Sequence, residues 1–104
     1  MNIKTKEWIA HINRMPGDAF FRTAGTVTVP HSGVTPRLVR SPVQDKSFDL
    51  RLELKLETSD GVSLQVITDK PVEYKVSGNS NVTGVSIFHE GELLHHIDNV
   101  LITD

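Results

Sequence analysis

The five histidines in this chain of 104 residues are the side chains best suited to chemistry, because imidazole binds metal ions and exchanges protons near neutral pH. His89, His95 and His96 lie close together in the segment FHEGELLHH. If Glu90-Gly91 forms a hairpin turn, His89 and His96 share a face but lie about 13 Å apart, at about 3.3 Å per residue. Ligands of one metal ion lie about 2 Å from it. The spacing therefore predicts no metal site, and no motif in the chain predicts another cofactor.

Leu93, Leu94 and Ile97 would also suit a helix of one or two turns in place of the hairpin. On that helix, His89 and His96 would lie about 10 Å apart at about 1.5 Å per residue, which is too far for one metal ion. The hairpin is favoured because no Ser, Thr, Asp or Asn stands where a helix would need its N-terminal cap. In both conformations the histidines are predicted to lie on the surface.

A second set of candidate residues, His31, Arg37 and Arg40, lies within residues 30–42, PHSGVTPRLVRSP. The planar guanidinium group of arginine binds carboxylates and phosphates through paired hydrogen bonds. One hypothesis is therefore a small anionic ligand held by Arg37 and Arg40. His31 is followed by Ser32, but adjacent residues do not make a catalytic dyad, and no nucleophile-elbow or phosphate-loop motif is present.

Prolines recur at every sixth position of the same segment, at residues 30, 36 and 42. Each proline lacks an N–H group and fixes its own φ angle, which argues against a central β-strand. At most, residues 37–41 are expected to form a short edge strand. A connection of this length is typical of a crossover between two sheets or of a functional loop.

The element that must support these segments is residues 48–57, FDLRLELKLE, in which apolar and charged residues alternate without interruption. A period of two is typical of a β-strand with one buried face and one solvated face. Leu52 or Leu54 is predicted to lie at the centre of the core. Residues 58–61, TSDG, then predict a hairpin into a returning strand over residues 62–66.

Near the N-terminus, Trp8, Ile9, Ile12 and Met15 follow the i, i+1, i+4, i+7 spacing of one helix face. This spacing predicts a short α-helix within residues 1–17. Three turns of helix are marginal alone, so the helix is expected to dock on the core through Trp8. Trp8 is also a candidate contact residue for a partner protein, since tryptophan is enriched in binding hot spots.

Other segments of the chain also alternate like strands. Gly25 stands inside one of them and indicates a bulge or a close approach of another group to the backbone. The pattern predicts a mostly β fold, an antiparallel β-sandwich of about six or seven strands with a short N-terminal α-helix. A single curved sheet packed on the helix, an α+β fold, is the alternative. The further strand segments are residues 20–29, 72–76, 82–88 and 93–103.

Length and composition predict a single domain, residues 1–104, with a helical segment at 1–17 and a β domain at 18–104. Hydrophobic residues make up 38% and charged residues 23%, which suits a folded chain better than a disordered one. The absence of cysteine excludes disulfides and thiolate zinc sites. No apolar run is long enough for a secretory signal or a membrane span. A cytoplasmic protein without membrane contact is expected.

The formal net charge of −2 is divided unevenly along the chain. Residues 1–46 carry seven Lys or Arg against three Asp or Glu, and residues 47–104 carry four against ten. This split could steer a partner or favour association of opposite ends, although mutual neutralisation within the fold is the favoured interpretation. No run of Lys or Arg interleaved with aromatic residues is present, so no nucleic-acid partner is expected.

These observations favour a small non-enzymatic binding or protein-interaction module. It would contact a protein partner through residues 30–42, the N-terminal helix or an edge strand, and an exposed edge strand also allows a homo-oligomer. The alternative is a small anionic-ligand binder or enzyme with its site near residues 30–42. The candidate binding residues are Trp8, His31, Arg37 and Arg40, and no catalytic residue or metal ligand is assigned.

Overall fold

The computed structural model of the protein describes residues 3–44, 49–59 and 66–104. These residues form eight β-strands: β1 (Lys4–Asn13), β2 (Phe20–Val29), β3 (Val34–Arg40), β4 (Asp49–Thr58), β5 (Thr68–Ser77), β6 (Gly84–His89), β7 (Glu92–Ile97) and β8 (Leu101–Thr103). The first sheet has the strand order β5-β2-β1-β8, and the second sheet has the order β3-β4-β6-β7. The two sheets pack face to face over one shared core.

The predicted mostly β fold of two packed sheets is therefore confirmed, and the alternative of one curved sheet on a helix is wrong. The prediction of a wholly antiparallel sandwich is also wrong at two strand pairs. β8 runs parallel to β1, and β6 runs parallel to β4. The other described strand pairs are antiparallel.

The alternating leucines of β4 lie at the centre of the core, as their period of two predicts. Leu52 and Leu54 are 0% and 1% exposed, because both sides of β4 are flanked by other strands and the first sheet covers its inner face. Phe48, the first residue of the predicted strand, lies outside the described residues. The other large apolar side chains that are fully buried come from both sheets and are Ile12, Val27, Val29, Val85 and Ile87.

The predicted N-terminal helix is wrong, since residues 4–13 form strand β1. Burial in the second half of this strand follows a period of two, because Ala10 and Ile12 are 3% and 0% exposed. Ile9 and Met15 fitted the helical spacing but are 48% and 51% exposed. Pairing with β2 along its whole length therefore overrides the local helical pattern of β1.

A β-bulge in β1 brings Trp8 over Gly25 in β2. The register between the two strands shifts between Lys6 and Ile9, and Glu7 within the bulge has a φ of 59°. A Cβ atom built on Gly25 would lie only 2.3 Å from Cε3 of the Trp8 ring. The close approach predicted at Gly25 is confirmed, and the bulge itself lies in the neighbouring strand.

Residues 30–42 contain β3, which is longer than the expected edge strand at residues 37–41. The only described strand that pairs with β3 is β4, so β3 does lie at an edge. Pro36 is accommodated within it because an edge strand leaves half of its N–H groups without strand partners. The same explanation holds for Pro71 in β5, whose only described partner strand is β2.

The hairpin between β6 and β7 is confirmed, and the helical alternative is wrong. Glu90 and Gly91 have φ angles of 50° and 84°, and two consecutive positive φ angles are typical of a type I′ turn. The register then shifts by one residue between Ile87 and Phe88. His96 consequently lies opposite Ser86, whereas in a hairpin without this shift it would lie opposite Val85.

The hairpin predicted at residues 58–61 and its returning strand over residues 62–66 fall mostly on residues 60–65, which lie outside the described residues. In residues 3–44, 49–59 and 66–104, no helix is long and apolar enough to cross a membrane.

Asp69, on the outer face of the first sheet, makes a pH-dependent contact. Thr28 Oγ1 donates a hydrogen bond to Asp69 Oδ1 at 2.6 Å, and Lys6 Nζ lies 3.1 Å from Asp69 Oδ2. The hydrogen bond from Thr28, followed by that from Lys6, lowers the pKa of Asp69. Because the folded pKa lies below the unfolded pKa, the ionised carboxyl group stabilises the fold above the unfolded value. This contribution is lost as pH falls through the folded value.

Replacing Thr28 by valine should raise the pKa of Asp69 towards its ordinary value, because valine cannot donate the hydrogen bond. An NMR titration of the Asp69 carboxyl carbon measures this change. Thr26→Val is the matched control on the same strand, because the hydroxyl of Thr26 bonds to Glu7 instead. An unchanged Asp69 pKa in the Thr28→Val variant would contradict the assignment.

Candidate functional site

The two sides of the sandwich differ in how their strand edges are protected. On one side, the neighbouring edge strands β3 and β5 contain Pro36 and Pro71. A proline in an edge strand hinders the addition of another strand, because it cannot donate a backbone hydrogen bond. On the other side, strands β1, β7 and β8 contain no proline. A further strand is therefore less hindered on the second side.

Strand β1 is only half paired on that unprotected side. Along its other side it pairs with β2 from Lys4 to Asn13, whereas β8 pairs only with residues 11–13. No described strand pairs with this side of β1 at residues 4–10, and we call this stretch the open edge. Alternate residues of a strand direct their N–H and C=O groups to each side. The open edge therefore presents backbone donors and acceptors that have no described strand partner.

Large apolar side chains are exposed around the open edge. Ile9 on β1 is 48% exposed, and Leu101 and Ile102 on β8 are 62% and 46% exposed. Single exposed aliphatic residues are ordinary, but these three lie on β1 and on β8, the two strands that border the open edge, and provide apolar contact area there.

A cleft of about 570 Å³ adjoins the open edge, between β1, β7 and the residues that lead into β8. Its volume lies within the range of about 300–1,000 Å³ that is typical of ligand pockets. Trp8 forms part of its wall and stacks on His95, with ring centroids 6.2 Å apart and planes inclined by 22°. Trp8 Nε1 is buried and has no hydrogen-bond partner among the described residues. The polar lining residues are His11, His95, His96, Asp98 and Asn99.

His96 lines the cleft, and its Nδ1 atom contacts two residues of the second sheet. Ser86 Oγ donates to Asp49 Oδ2 at 2.7 Å, and His96 Nδ1 lies 2.9 Å from Ser86 Oγ and 3.5 Å from Asp49 Oδ1. Since Ser86 has used its only hydrogen, Nδ1 of His96 must carry the hydrogen of that second bond. The other ring nitrogen, Nε2, is then a hydrogen-bond acceptor in the neutral ring.

Gly84 leaves the space that this network occupies. A Cβ atom built on Gly84 would lie 2.8 Å from Asp49 Oδ1 and 3.5 Å from Cε1 of His96. Any side chain at this position would displace the carboxyl group or the ring. A larger residue at position 84 would therefore disturb the orientation of His96 without contacting the cleft.

The network contains Ser, His and Asp but does not have the arrangement of a hydrolase triad. In a triad the histidine accepts the serine hydrogen at one nitrogen and bonds to the carboxyl group through the other. Here the hydroxyl of Ser86 donates to Asp49, and both contacts of His96 use Nδ1. Ser86 is also only 7% exposed. The arrangement orients an imidazole ring and does not activate a nucleophile.

The structure separates the two arginines that the sequence grouped. Arg37 lies opposite Lys55 and Arg40 lies opposite Leu52, so their side chains leave opposite faces of β3. Arg37 Nη1 lies 2.8 Å from Glu57 Oε1 on the neighbouring strand. The structure therefore does not bring Arg37 and Arg40 together as a clamp for one anion.

His31 lies in the turn between β2 and β3, and its Nδ1 accepts a hydrogen bond from the backbone N–H of Gly33 at 3.2 Å. It lines a second cavity, of about 470 Å³, together with His89 and Glu90. Nδ1 of His89 is 2.9 Å from the carbonyl oxygen of Leu54 and donates to it. Of the four candidate binding residues, only Trp8 lines the cleft beside the open edge.

The described residues contain no group of three or more His, Asp or Glu side chains that could hold a metal ion. Three histidines, His11, His95 and His96, line the cleft, but they come from different strands or from opposite faces of one strand. His11 Nε2 is instead 2.8 Å from Thr103 Oγ1.

The sequence did not predict the roles of Asp49, Ser86 and Asp98. The first two meet His96 only because β4, β6 and β7 are neighbours and because the β6–β7 hairpin shifts by one residue. No local spacing signals that arrangement. Comparisons with protein-family models, with curated proteins and with solved structures find no match to this chain.

Proposed function

We propose that this protein is a small non-enzymatic interaction module that binds an extended segment of a partner protein as an added strand at its open edge. The observation that carries the proposal is the half-paired strand β1, which has β2 on one side but β8 on the other only at residues 11–13. Strand addition supplies main-chain hydrogen bonds, and neighbouring pockets supply side-chain specificity. The open edge would supply the main-chain hydrogen bonds, and the adjoining cleft would supply the side-chain pocket.

The geometry of the open edge sets the size of the partner segment. Residues 4–10 extend for about 23 Å at about 3.3 Å per residue, which matches a strand of about seven residues. The β-bulge at Glu7 lies in the middle of this stretch, so a regular added strand would pair best with one half of it. The half that includes Trp8, Ile9 and Ala10 adjoins the cleft.

A protein partner is supported better than catalysis or anion binding. Ser86 is nearly buried and donates its hydrogen to Asp49, so it offers no nucleophile. Arg37 and Arg40 leave opposite faces of β3, so they do not form one anion site. Pro36 and Pro71 restrict strand addition on the opposite side of the sandwich.

Selection of a library of displayed linear peptides against the full chain tests the proposal. We expect peptides of about seven residues that alternate apolar and polar side chains, because one face of an added strand meets the apolar side chains around the open edge. Sedimentation of the protein alone, at two salt concentrations, measures self-association, which is expected if a second copy of the chain occupies the open edge. A monomer that selects no peptide would contradict the proposal.

Ile9→Lys should weaken the binding of a selected peptide by about fivefold, because a cross-strand side-chain pair contributes up to about 1 kcal/mol. Calorimetric titration measures the change in affinity. Val76→Lys is the matched control, since Val76 is 45% exposed, Ile9 is 48% exposed, and Val76 lies on β5 at the protected edge of the same sheet. Equal weakening in both variants, or weakening only in Val76→Lys, would place the peptide elsewhere.

A further inference from the structure

Resting on the proposed function, we infer that the cleft beside the open edge binds the guanidinium group of an arginine carried by the docked segment. The cleft is lined by Trp8, Ile9, Ala10 and His11 of β1, so a strand paired with these residues would hold alternate side chains at its mouth. This arginine would give the added strand its specificity.

The charge of the cleft favours a cationic side chain. Among the described residues, Asp98 is the only carboxylate that lines the cleft, and no Lys or Arg lines it. Asp98 is exposed, and no described residue forms an ion pair with it. A cationic side chain entering the cleft would therefore meet an unpaired negative charge and no positive charge on Lys or Arg.

The hydrogen-bonding groups of the cleft also suit a guanidinium group. The carboxylate of Asp98 is an acceptor, and the side-chain amide of Asn99 provides another acceptor oxygen. A guanidinium group carries five N–H donors in a planar fork, so it can donate to both side chains.

The aromatic wall distinguishes arginine from lysine. The stacked rings of Trp8 and His95 give the cleft a planar aromatic side. A guanidinium group is planar and stacks on aromatic faces, most favourably on tryptophan, whereas an ammonium group is a hydrated point charge. One face of the indole lies over Gly25 and the other stacks on His95, so the guanidinium group would replace the exposed His95 ring on that second face.

The first test uses a small probe, N-acetyl-arginine methylamide, with the full chain. Trp8 is the only tryptophan, so its fluorescence reports directly on the cleft. We expect a saturable change in emission with a dissociation constant on the order of 1 mM. The corresponding lysine and tyrosine probes should bind at least about threefold more weakly. No saturable change with the arginine probe, or equal binding of all three probes, would overturn the inference.

Asp98→Asn should weaken binding of the arginine probe about fivefold, because the amide keeps the shape of the side chain but removes its charge. Asp18→Asn is the matched control: it changes the net charge equally at an exposed position in the turn between β1 and β2. Unchanged affinity in Asp98→Asn would overturn the inference.

Peptides from the display selection separate this inference from the proposed function. We expect an arginine at one position, and its replacement by citrulline, a neutral analogue of similar shape, should weaken binding about tenfold. Peptides that bind the open edge equally well with citrulline would overturn the arginine site and leave strand addition intact. Binding of the arginine probe without any peptide adding to β1 would support the cleft site and overturn the proposed function.

Discussion

Leu52→Asp is expected to abolish the cooperative unfolding transition of this protein under native conditions. Leu52 is 0% exposed at the centre of β4, and its neighbours there are apolar side chains of both sheets. Burying an unpaired carboxylate belongs to the small class of substitutions that cost more than about 4–5 kcal/mol. Domains are typically stable by about 5–15 kcal/mol, so one such change can unfold the chain. Circular dichroism during thermal or urea denaturation measures the loss.

The matched control for Leu52→Asp is Lys55→Ala on the outer face of the same strand. Lys55 is exposed and pairs with Glu53 at 3.0 Å, and surface ion pairs of this kind contribute about 1 kcal/mol or less. The control should therefore unfold close to the wild-type midpoint. A wild-type melting curve for Leu52→Asp would show that the inner face of β4 does not form the core.

Gly25→Ala is expected to destabilise the protein by about 1–3 kcal/mol, which is the usual cost of an overpacked core. The added methyl group would lie 2.3 Å from Cε3 and 2.5 Å from Cδ2 of Trp8, so the indole must move. In a strand without such a contact, alanine would be more favourable than glycine by about 0.5–1 kcal/mol. The sign of the change therefore reports the contact, and urea denaturation with Trp8 fluorescence measures it.

A double-mutant cycle isolates the contact between Gly25 and Trp8. In a Trp8→Leu background the indole is absent, so Gly25→Ala should become nearly neutral or stabilising. Circular dichroism replaces fluorescence as the probe, because Trp8 is the only tryptophan. Equal destabilisation in both backgrounds would mean that the ring does not lie over Gly25.

The sequence predicted best those elements whose side chains alternate strictly. In β4, Leu52 and Leu54 alternate with charged residues, and the structure buries them as that alternation requires. The bounds of β2 were also predicted, and Gly25 signalled a close approach. Glu90-Gly91 forms the predicted turn because its residues adopt the positive φ angles that a tight hairpin needs.

The N-terminal strand could not be predicted from local spacing, because its bulge breaks the alternation. Trp8 and Ile9 are consecutive apolar residues, which suggested a helix face, yet Trp8 packs inward and Ile9 is 48% exposed. Ala10, which is 3% exposed, is too small to signal a buried position clearly. Long-range pairing with β2 decides the conformation, and sequence spacing alone carries no information about that pairing.

The candidate site was predicted only in part. Trp8 was among the candidate contact residues, and an edge strand was among the proposed binding surfaces. The open edge itself depends on where β8 stops pairing with β1, and the orientation of His96 depends on a one-residue register shift in the β6–β7 hairpin. The end of the β8–β1 pairing and the orientation of His96 both depend on pairing between distant strands, so no motif in the sequence predicts them.

Amide hydrogen exchange with a selected peptide bound is the most direct test of strand addition at the open edge. In the free protein, amides of residues 4–10 that face away from β2 should exchange faster than those that face β2. With the peptide bound, alternate amides in this stretch should become protected, and those of β3 and β5 should not change. Protection confined to β3 or β5, or no added protection in β1, would contradict the proposal.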